Sequence, residues 1–256
     1  MENLSEGQVQ GVSVVTAELP KARIIDRRQY ARDLFVFHLE PQAPFSFKAG
    51  QYVTLGINGI ERPYSIASAP FEPLLEIFIR RVDPEKGGVL TPLLWELGKG
   101  DEVTMRPRAK GIFTFEPDVQ NHVMVATTTG IAPFISILRQ HFQEGPHGHR
   151  FFLFDGSSFQ DEFVYDGELI ELTRRYVEWV EFLPVVSMPE SEINLGWKGH
   201  TGMVHGLIKE HLAVWGLDRA HTLVYACGHP GMIAGVKEDL QPEGWRVKEE
   251  RFWRDP

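Results

Sequence analysis

Val123-Met124-Val125-Ala126-Thr127-Thr128-Thr129-Gly130-Ile131-Ala132-Pro133-Phe134 reads as an apolar strand, a polar turn and the start of a helix. That order opens a βαβ unit, whose turn suits an anionic, nucleotide-like ligand. From Asn121 onward the rhythm repeats. The pattern predicts strands at Val123–Ala126, Arg150–Phe154, Trp179–Val186 and Thr222–Ala226. It predicts helices at Pro133–Phe142, Glu162–Tyr176, Met203–Val214 and Pro230–Leu240. Such alternation builds an α/β domain on a mainly parallel sheet.

Upstream the rhythm differs. Short β runs fall at Arg23–Ile25, Leu34–Leu39, Tyr52–Ile57, Tyr64–Ser68, Leu75–Val82, Glu102–Arg106 and Phe113–Phe115. Ala49-Gly50, Asn58-Gly59 and Gly98-Lys99-Gly100-Asp101 separate them as turns, and one helix, Pro92–Leu97, interrupts. This pattern predicts a small antiparallel β-barrel. With the boundary near Glu116-Pro117-Asp118, the chain divides into a loose arm (1–20), the barrel (21–117) and the α/β domain (118–256).

At 256 residues, with 43% apolar and 24% charged residues, the chain is long enough for two globular cores. A formal net charge of −9 does not suggest nucleic-acid binding. The charge is uneven. Residues 1–117 hold 14 Lys and Arg against 15 Asp and Glu; residues 118–256 hold 12 against 20. Basic clusters (Arg27, Arg28 and Arg32; Arg80 and Arg81; Arg106, Arg108 and Lys110) give the first half a face suited to an acidic partner. No run approaches the ~18–20 apolar residues of a membrane span. Met1 to Glu18 has no basic start and no long apolar centre, so a secretory signal is not expected. A cytoplasmic, monomeric protein is the expectation. One cysteine, Cys227, excludes a disulfide framework or a Cys-rich cluster. The ten histidines lack metal-ligand spacing.

Three local patterns carry chemistry. In Arg62-Pro63-Tyr64-Ser65-Ile66-Ala67-Ser68, a guanidinium fork fits a diphosphate, Tyr64 can stack on a flat heterocycle, and Ser65 can hydrogen-bond at that ring's edge. Strand alternation sends Arg62 and Tyr64 to one face and Pro63 and Ser65 to the other. In Gly87-Gly88-Val89-Leu90-Thr91-Pro92, Thr91 is expected as an N-cap and Pro92 as the first helical residue, so that the helix start faces an anion. Cys227-Gly228-His229-Pro230 follows an apolar strand and opens a helix, at the sheet edge where ligands bind. A lone buried cysteine is more often a small core residue.

With the closing Glu250-Arg251-Phe252-Trp253, these motifs occur in the order found in bacterial FAD-containing ferredoxin–NADP reductases, and the chain resembles that family from about Ala22 to Trp253. The resemblance implies FAD on the barrel, NADP or NAD on the α/β domain, and hydride transfer between nicotinamide C4 and flavin N5 at their meeting. It implies that Arg62 holds the diphosphate, Pro63 belongs to the FAD-binding run, Tyr64 stacks on the flavin, Ser65 sits near N5, and Ile66, Ala67 and Ser68 meet the pyrimidine edge largely through backbone. Val89, Leu90 and Thr91 would offer N–H groups to the diphosphate. Thr127, Thr129, Gly130, Cys227 and Gly228 would face the coenzyme, and Trp253 would cover the second flavin face. Ser65, Cys227 and Glu250 are the implied catalytic set, and ferredoxin or flavodoxin the implied partner.

Two departures stand out. Thr128 occupies a turn position where the family usually has glycine, and a β-branched residue there is stiffer and larger. The positions that carry 2′-phosphate-binding arginines in NADP-specific relatives match Ser158, Met188 and His200, none a permanent cation. Asp155 would add negative charge and Lys198 would offset it. An NADH-tolerant enzyme is the expectation. The same two domains also serve reductase components of multi-component oxygenases, and Thr128 keeps open a flavin electron-transfer subunit of a larger complex.

Overall fold

The computed structural model describes residues 19–251. In its first half, β1 (Lys21–Gln29), β2 (Leu34–Pro41), β3 (Tyr52–Ile57), β4 (Ile60–Ser65), β5 (Leu75–Arg80) and β6 (Glu102–Met105) form one antiparallel sheet, with α1 (Leu90–Trp95) between β5 and β6. The strand order is β4-β3-β6-β1-β2-β5. An isolated bridge, Ile66 to Ile77, joins the end of β4 to β5 and closes the sheet into a barrel. Phe35, Phe37, Val53, Leu55, Ile77 and Val103 fill it.

Asn58 (φ 52°) and Gly59 (φ 80°) make the two-residue turn that the right-handed twist of a hairpin favours. The second strand therefore starts at Ile60, opposite Ile57, and ends at Ser65, rather than running over Tyr64–Ser68. Pro63 fits because β4 is an edge strand. Phe113–Phe115 does not form a strand. Its apolar residues pack across to the second half instead, Phe113 lying 5.7 Å from the Tyr225 ring at 90°.

The second half holds β7 (Asn121–Thr127), α2 (Ala132–Phe142), β8 (Arg150–Ser157), α3 (Asp166–Arg175), β9 (Val180–Val186), β10 (His200–Thr201), α4 (Ile208–Val214), β11 (Thr222–Gly228), α5 (Pro230–Leu240) and β12 (Arg246–Arg251). All sheet pairs are parallel, in the order β10-β9-β8-β7-β11-β12. β8 is buried almost throughout, as a strand covered on both faces must be. α5 starts at Pro230, where proline is pre-set for the first helical position, and the His229 side chain caps it by accepting from the Gly231 N–H. Among the described residues, no helix is long and apolar enough to cross a membrane.

α2 is the hinge piece between the halves. Residues 132–138 are all buried, and the core around them mixes barrel residues (Ala67, Phe78, Phe113) with sheet residues (Met124, Ala126, Leu153). Polar contacts add direction. Ser136 donates to the Ser68 carbonyl at 2.7 Å. Arg139 grips Glu168 through two nitrogens at 2.7 Å and reaches Glu76 of β5 at 2.9 Å, while Tyr165 donates to Glu76 at 2.6 Å. Burial pushes the Glu76 carboxyl up, but His38, Arg139 and Tyr165 outweigh it and hold the pKa down at about 2.

A carboxylate whose folded value lies below its unfolded one gives its full contribution above the unfolded pKa and loses it as pH falls. Glu76 should therefore stabilise the fold above about pH 4.5 and progressively less towards about pH 2. Glu76→Gln should cost about 3 kcal/mol at pH 7, the scale for breaking a buried pair. Acid-unfolding curves should show this difference shrinking below pH 4.5; a difference constant down to pH 2 would refute the assignment.

Candidate functional site

Two cavities open where the halves meet. The first, about 340 Å³, is lined by Arg62, Pro63, Tyr64 and Ser65 on one side and by Lys86, Gly87, Gly88, Val89, Leu90 and Thr91 on the other. Because β4 is an edge strand, its last four residues reach this cleft despite their alternation. Tyr64 packs on the barrel core beneath it. Arg62 is exposed and, among the described residues, tied only to the neighbouring Glu61 carbonyl at 2.8 Å.

Gly88 has no room for a side chain: a Cβ would lie 1.9 Å from the Val82 carbonyl oxygen. That close approach seats the start of α1 against the cleft. The helix begins at Leu90, so Thr91 is not its cap; the Thr91 hydroxyl accepts from the Val82 N–H at 2.9 Å. The first N–H groups of a helix have no partner within it, so those of Leu90 and Thr91 remain available.

The structure does not bring Ile66, Ala67 and Ser68 to the cleft. All three are buried; the Ile66 and Ala67 N–H groups pair with the Gln51 and Glu76 carbonyls, and the Ser68 hydroxyl accepts from the Glu76 N–H. Closing the barrel consumes these groups.

The second cavity, about 260 Å³, is lined by Thr127, Thr128 and Thr129, by Gly156–Ser158, by 202–205, and by Gly228 and His229. The Thr127 hydroxyl accepts from the His229 N–H at 2.7 Å, tying the turn after β7 to the turn after β11. Gly130 is buried and lines neither cavity; a Cβ there would lie 2.2 Å from the Cys227 carbonyl oxygen, so it lets the two turns touch. Thr128 has φ 49°, in the left-handed region. A β-branched residue there is strained by about 1–2 kcal/mol.

Arg80 and Thr129 line both cavities. A ring seated in the first and a ligand in the second would therefore meet. Sequence reading treated Arg80 only as part of a basic pair. The available signal was its place at the open end of β5, after five buried residues.

Behind this junction lies the expected catalytic set. Cys227 and Glu250 are neighbours across the β11–β12 ladder. Cys227 is fully buried and lines neither cavity, which corrects the expectation that it faces the coenzyme. Burial and the Glu250 charge push its thiol pKa up, so it is a thiol rather than a thiolate. Among the described residues, Ser65 Oγ and Glu250 Oε2 are buried atoms without a well-formed hydrogen bond, although the Ser65 hydroxyl lies near enough to act on the Glu250 carboxyl. Burial pushes the Glu250 carboxyl up to about 7, against the opposing pull of Ser65 and Lys248. Trp253 lies outside the described residues.

The adenosine-side positions also resolve. Ser158 lines the second cavity, and Met188 and His200 are exposed. Buried Asn194, which sequence reading missed, holds the first two turns by donating to the Ser158 and Met188 carbonyls at 2.9 and 2.7 Å. Asp155 does not line the cavity. It is buried, which together with Asp166 and Glu162 pushes its carboxyl well above the usual range, and it does not stand in the cavity wall where its charge was expected.

Glu250 supplies a pH signature. Its folded pKa is raised, so its contribution to stability is complete below about pH 4.5 and is lost as pH rises towards about 7. The free energy of unfolding measured between pH 4.5 and 7 should fall less with rising pH in Glu250→Gln than in the wild type. Parallel pH profiles for the two proteins would show that the carboxyl titrates normally.

The orphaned Ser65 hydroxyl, the free helix-start N–H groups and the exposed Arg62 fork suit a flavin carrying a diphosphate, which is the group comparison with known proteins brings to this fold. Residues 124–238 match the oxidoreductase NAD-binding domain. The chain is 30% identical over 239 residues to ferredoxin–NADP reductase B of Sorangium cellulosum, covering 88% of this chain and 92% of that protein. It is 29% identical over 218 residues to the phenol hydroxylase P5 protein of Acinetobacter pittii, covering 83% of this chain but 59% of that one. The fold matches a ferredoxin NADP+ reductase from Neisseria gonorrhoeae solved with FAD and NADP, with a TM-score of 0.79, 24% identity, and coverage of 93% of this chain and 100% of that one. A barrel followed by a parallel α/β sheet, with two cavities meeting at their junction and this degree of identity over almost the whole chain, makes the protein a member of the ferredoxin–NADP reductase family.

Proposed function

We propose that the protein is an FAD-dependent oxidoreductase that moves electrons between NAD(P)H and a ferredoxin or flavodoxin. The observation that carries this reading is the wall shared by the two cavities, formed by Arg80 and Thr129. When bound, FAD supplies the redox chemistry, exchanging hydride with a nicotinamide and single electrons with a protein carrier. The chain binds and orients. Arg62 and the N–H groups at the start of α1 hold the diphosphate. Tyr64 offers a ring face. Ser65 keeps a buried hydroxyl at the flavin edge, and Glu250, poised near neutrality, holds a proton beside it. Cys227 stays a protonated packing residue beneath the nicotinamide end, while Gly228 and the Thr127–Thr129 turn receive the coenzyme.

The carrier is acidic in this reading, but the docking charge is smaller than composition implies. Arg28 is paired with Asp26 at 2.8 Å, and Arg106 with Glu61 through two nitrogens at 2.8 and 2.6 Å. Arg108 and Lys110 are exposed. They form no salt bridge among the described residues and remain for the partner. A second reading, the reductase component of a multi-component oxygenase, draws on the phenol hydroxylase relative, of which this chain spans about three fifths. Reduction of candidate ferredoxins by the isolated chain separates the two.

Arg62→Ala should weaken FAD retention about tenfold to a hundredfold, the scale of a lost charge-assisted bond. Equilibrium dialysis of the apoprotein checks this, and unchanged retention would remove Arg62 from the diphosphate site.

The coenzyme is the less selective choice, because Ser158, Met188 and His200 supply no fixed charge. The ratio of kcat/KM for NADPH over NADH should lie within about two orders of magnitude, and Ser158→Arg should raise it about tenfold or more by adding a guanidinium fork. A wild-type NADPH preference of many thousandfold, unmoved by Ser158→Arg, would mean that another cation reads the phosphate.

A further inference from the structure

We infer that Glu162 is a positioning residue that sets the geometry of the coenzyme cavity from across the domain junction. The inference rests on the reading of the second cavity as the coenzyme site. Glu162 precedes α3 and is 4% exposed. One carboxylate oxygen, Oε1, accepts from Arg80 at 2.5 Å. The other, Oε2, accepts from the Ser158 N–H at 3.0 Å and the Phe159 N–H at 3.4 Å. A single buried carboxylate thus fixes both a barrel side chain that lines both cavities and the α/β turn that forms one cavity wall. Asp33 stands 3.6 Å from Arg80 on its other side, and the Arg32 guanidinium lies 4.5 Å from the Phe159 ring. The barrel turn at 32–33 and the 158–162 turn are therefore fastened at the same place.

The charge matters as well as the shape. A glutamine in place of Glu162 keeps one acceptor for the backbone but turns an amide or loses the anion that faces Arg80, freeing the guanidinium to move. Such a change acts on coenzyme binding, not on flavin binding, since the first cavity keeps Arg62, Tyr64 and the α1 start.

The test compares E162Q, R80Q and the double variant as FAD-loaded proteins in steady-state NADH oxidation with ferricyanide. E162Q should raise KM for NADH about tenfold, with kcat within about twofold and flavin retention unchanged, and R80Q should raise KM at least as much. Because Glu162 acts through Arg80, the double variant should be no worse than R80Q. Unchanged KM in either folded single variant, or fully additive effects, would overturn the inference. If E162Q does not fold, R80Q and Glu162→Asp carry the same comparison: Glu162→Asp, with a shorter reach, should raise KM while retaining FAD, and an unchanged KM would overturn it. Amide exchange of the wild type with NAD+ keeps the underlying reading separate. Slowed exchange at 127–129 and 202–205 places the coenzyme in the cavity whatever the variants do. Without that slowing, it is the cavity assignment that fails.

Discussion

The buried ion cluster of Glu76 with Arg139, Tyr165 and His38 is the constraint on which the rest depends. Neither cavity is complete within one half of the protein. The first borrows Thr129 from the α/β half, and the second borrows Arg80 from the barrel. Their meeting therefore requires a fixed relation between two sheets, and apolar packing around α2 alone would tolerate sliding. A carboxylate accepting from a guanidinium and a phenol in a dry interface does not tolerate it, because any shift leaves a buried charge unpaired. The cluster converts a sticky interface into a registered one.

The same logic explains the turns. At the edge of the parallel sheet the chain must bring four turns within reach of one ligand. The Thr127 hydroxyl joins the first to the last, Gly130 removes the side chain that would hold them apart, and Asn194 joins the turns after β8 and β9. Thr128 is the point at which this arrangement is strained. Its left-handed backbone is the conformation glycine adopts without cost, and the surrounding contacts hold a β-branched residue there. A position that pays conformational energy in the free protein, in the wall of a binding cavity, is where coenzyme affinity is most open to change.

Much of this was legible in the sequence because it is local. The switch from short β runs to βα alternation is a matter of periodicity, and it placed α5 at the residues where the structure has it, starting at Pro230. The Arg62–Ser65 run and the Gly88–Thr91 start proved to face one cleft. The misreadings share a cause. Thr91 satisfies the local rules for a cap, yet a tertiary bond to Val82 claims its hydroxyl. Phe113–Phe115 has strand-like composition, yet its rings are spent on the domain junction. Asp155 counts as a charge beside the coenzyme in a sequence, yet it is buried and does not line the cavity. Glu76, Arg139, Glu162 and Asn194 carry no motif at all; their roles come from pairings across 63, 82 and 36 positions of chain.

Those distant pairings also divide the labour of the site. Residues that would touch a cofactor sit on an edge strand and at element ends, where backbone groups and side chains are free. Residues that hold them sit one layer back, carry their charges in pairs, and are buried. Ser65 and Glu250 fall between the two classes. They come from opposite halves, each has a buried oxygen without a partner, and one titrates near neutrality. Leaving a polar atom buried and unpaired costs about 1–3 kcal/mol. Unpaired buried atoms also occur in the clusters that hold the fold, at His38 Nδ1 and Arg80 Nε, so an orphaned atom alone does not mark a ligand site. Ser65 differs in lining the first cavity, with the β12 carboxyl of the other half drawn towards it, so the contact that registers the two halves also sets how these two groups approach.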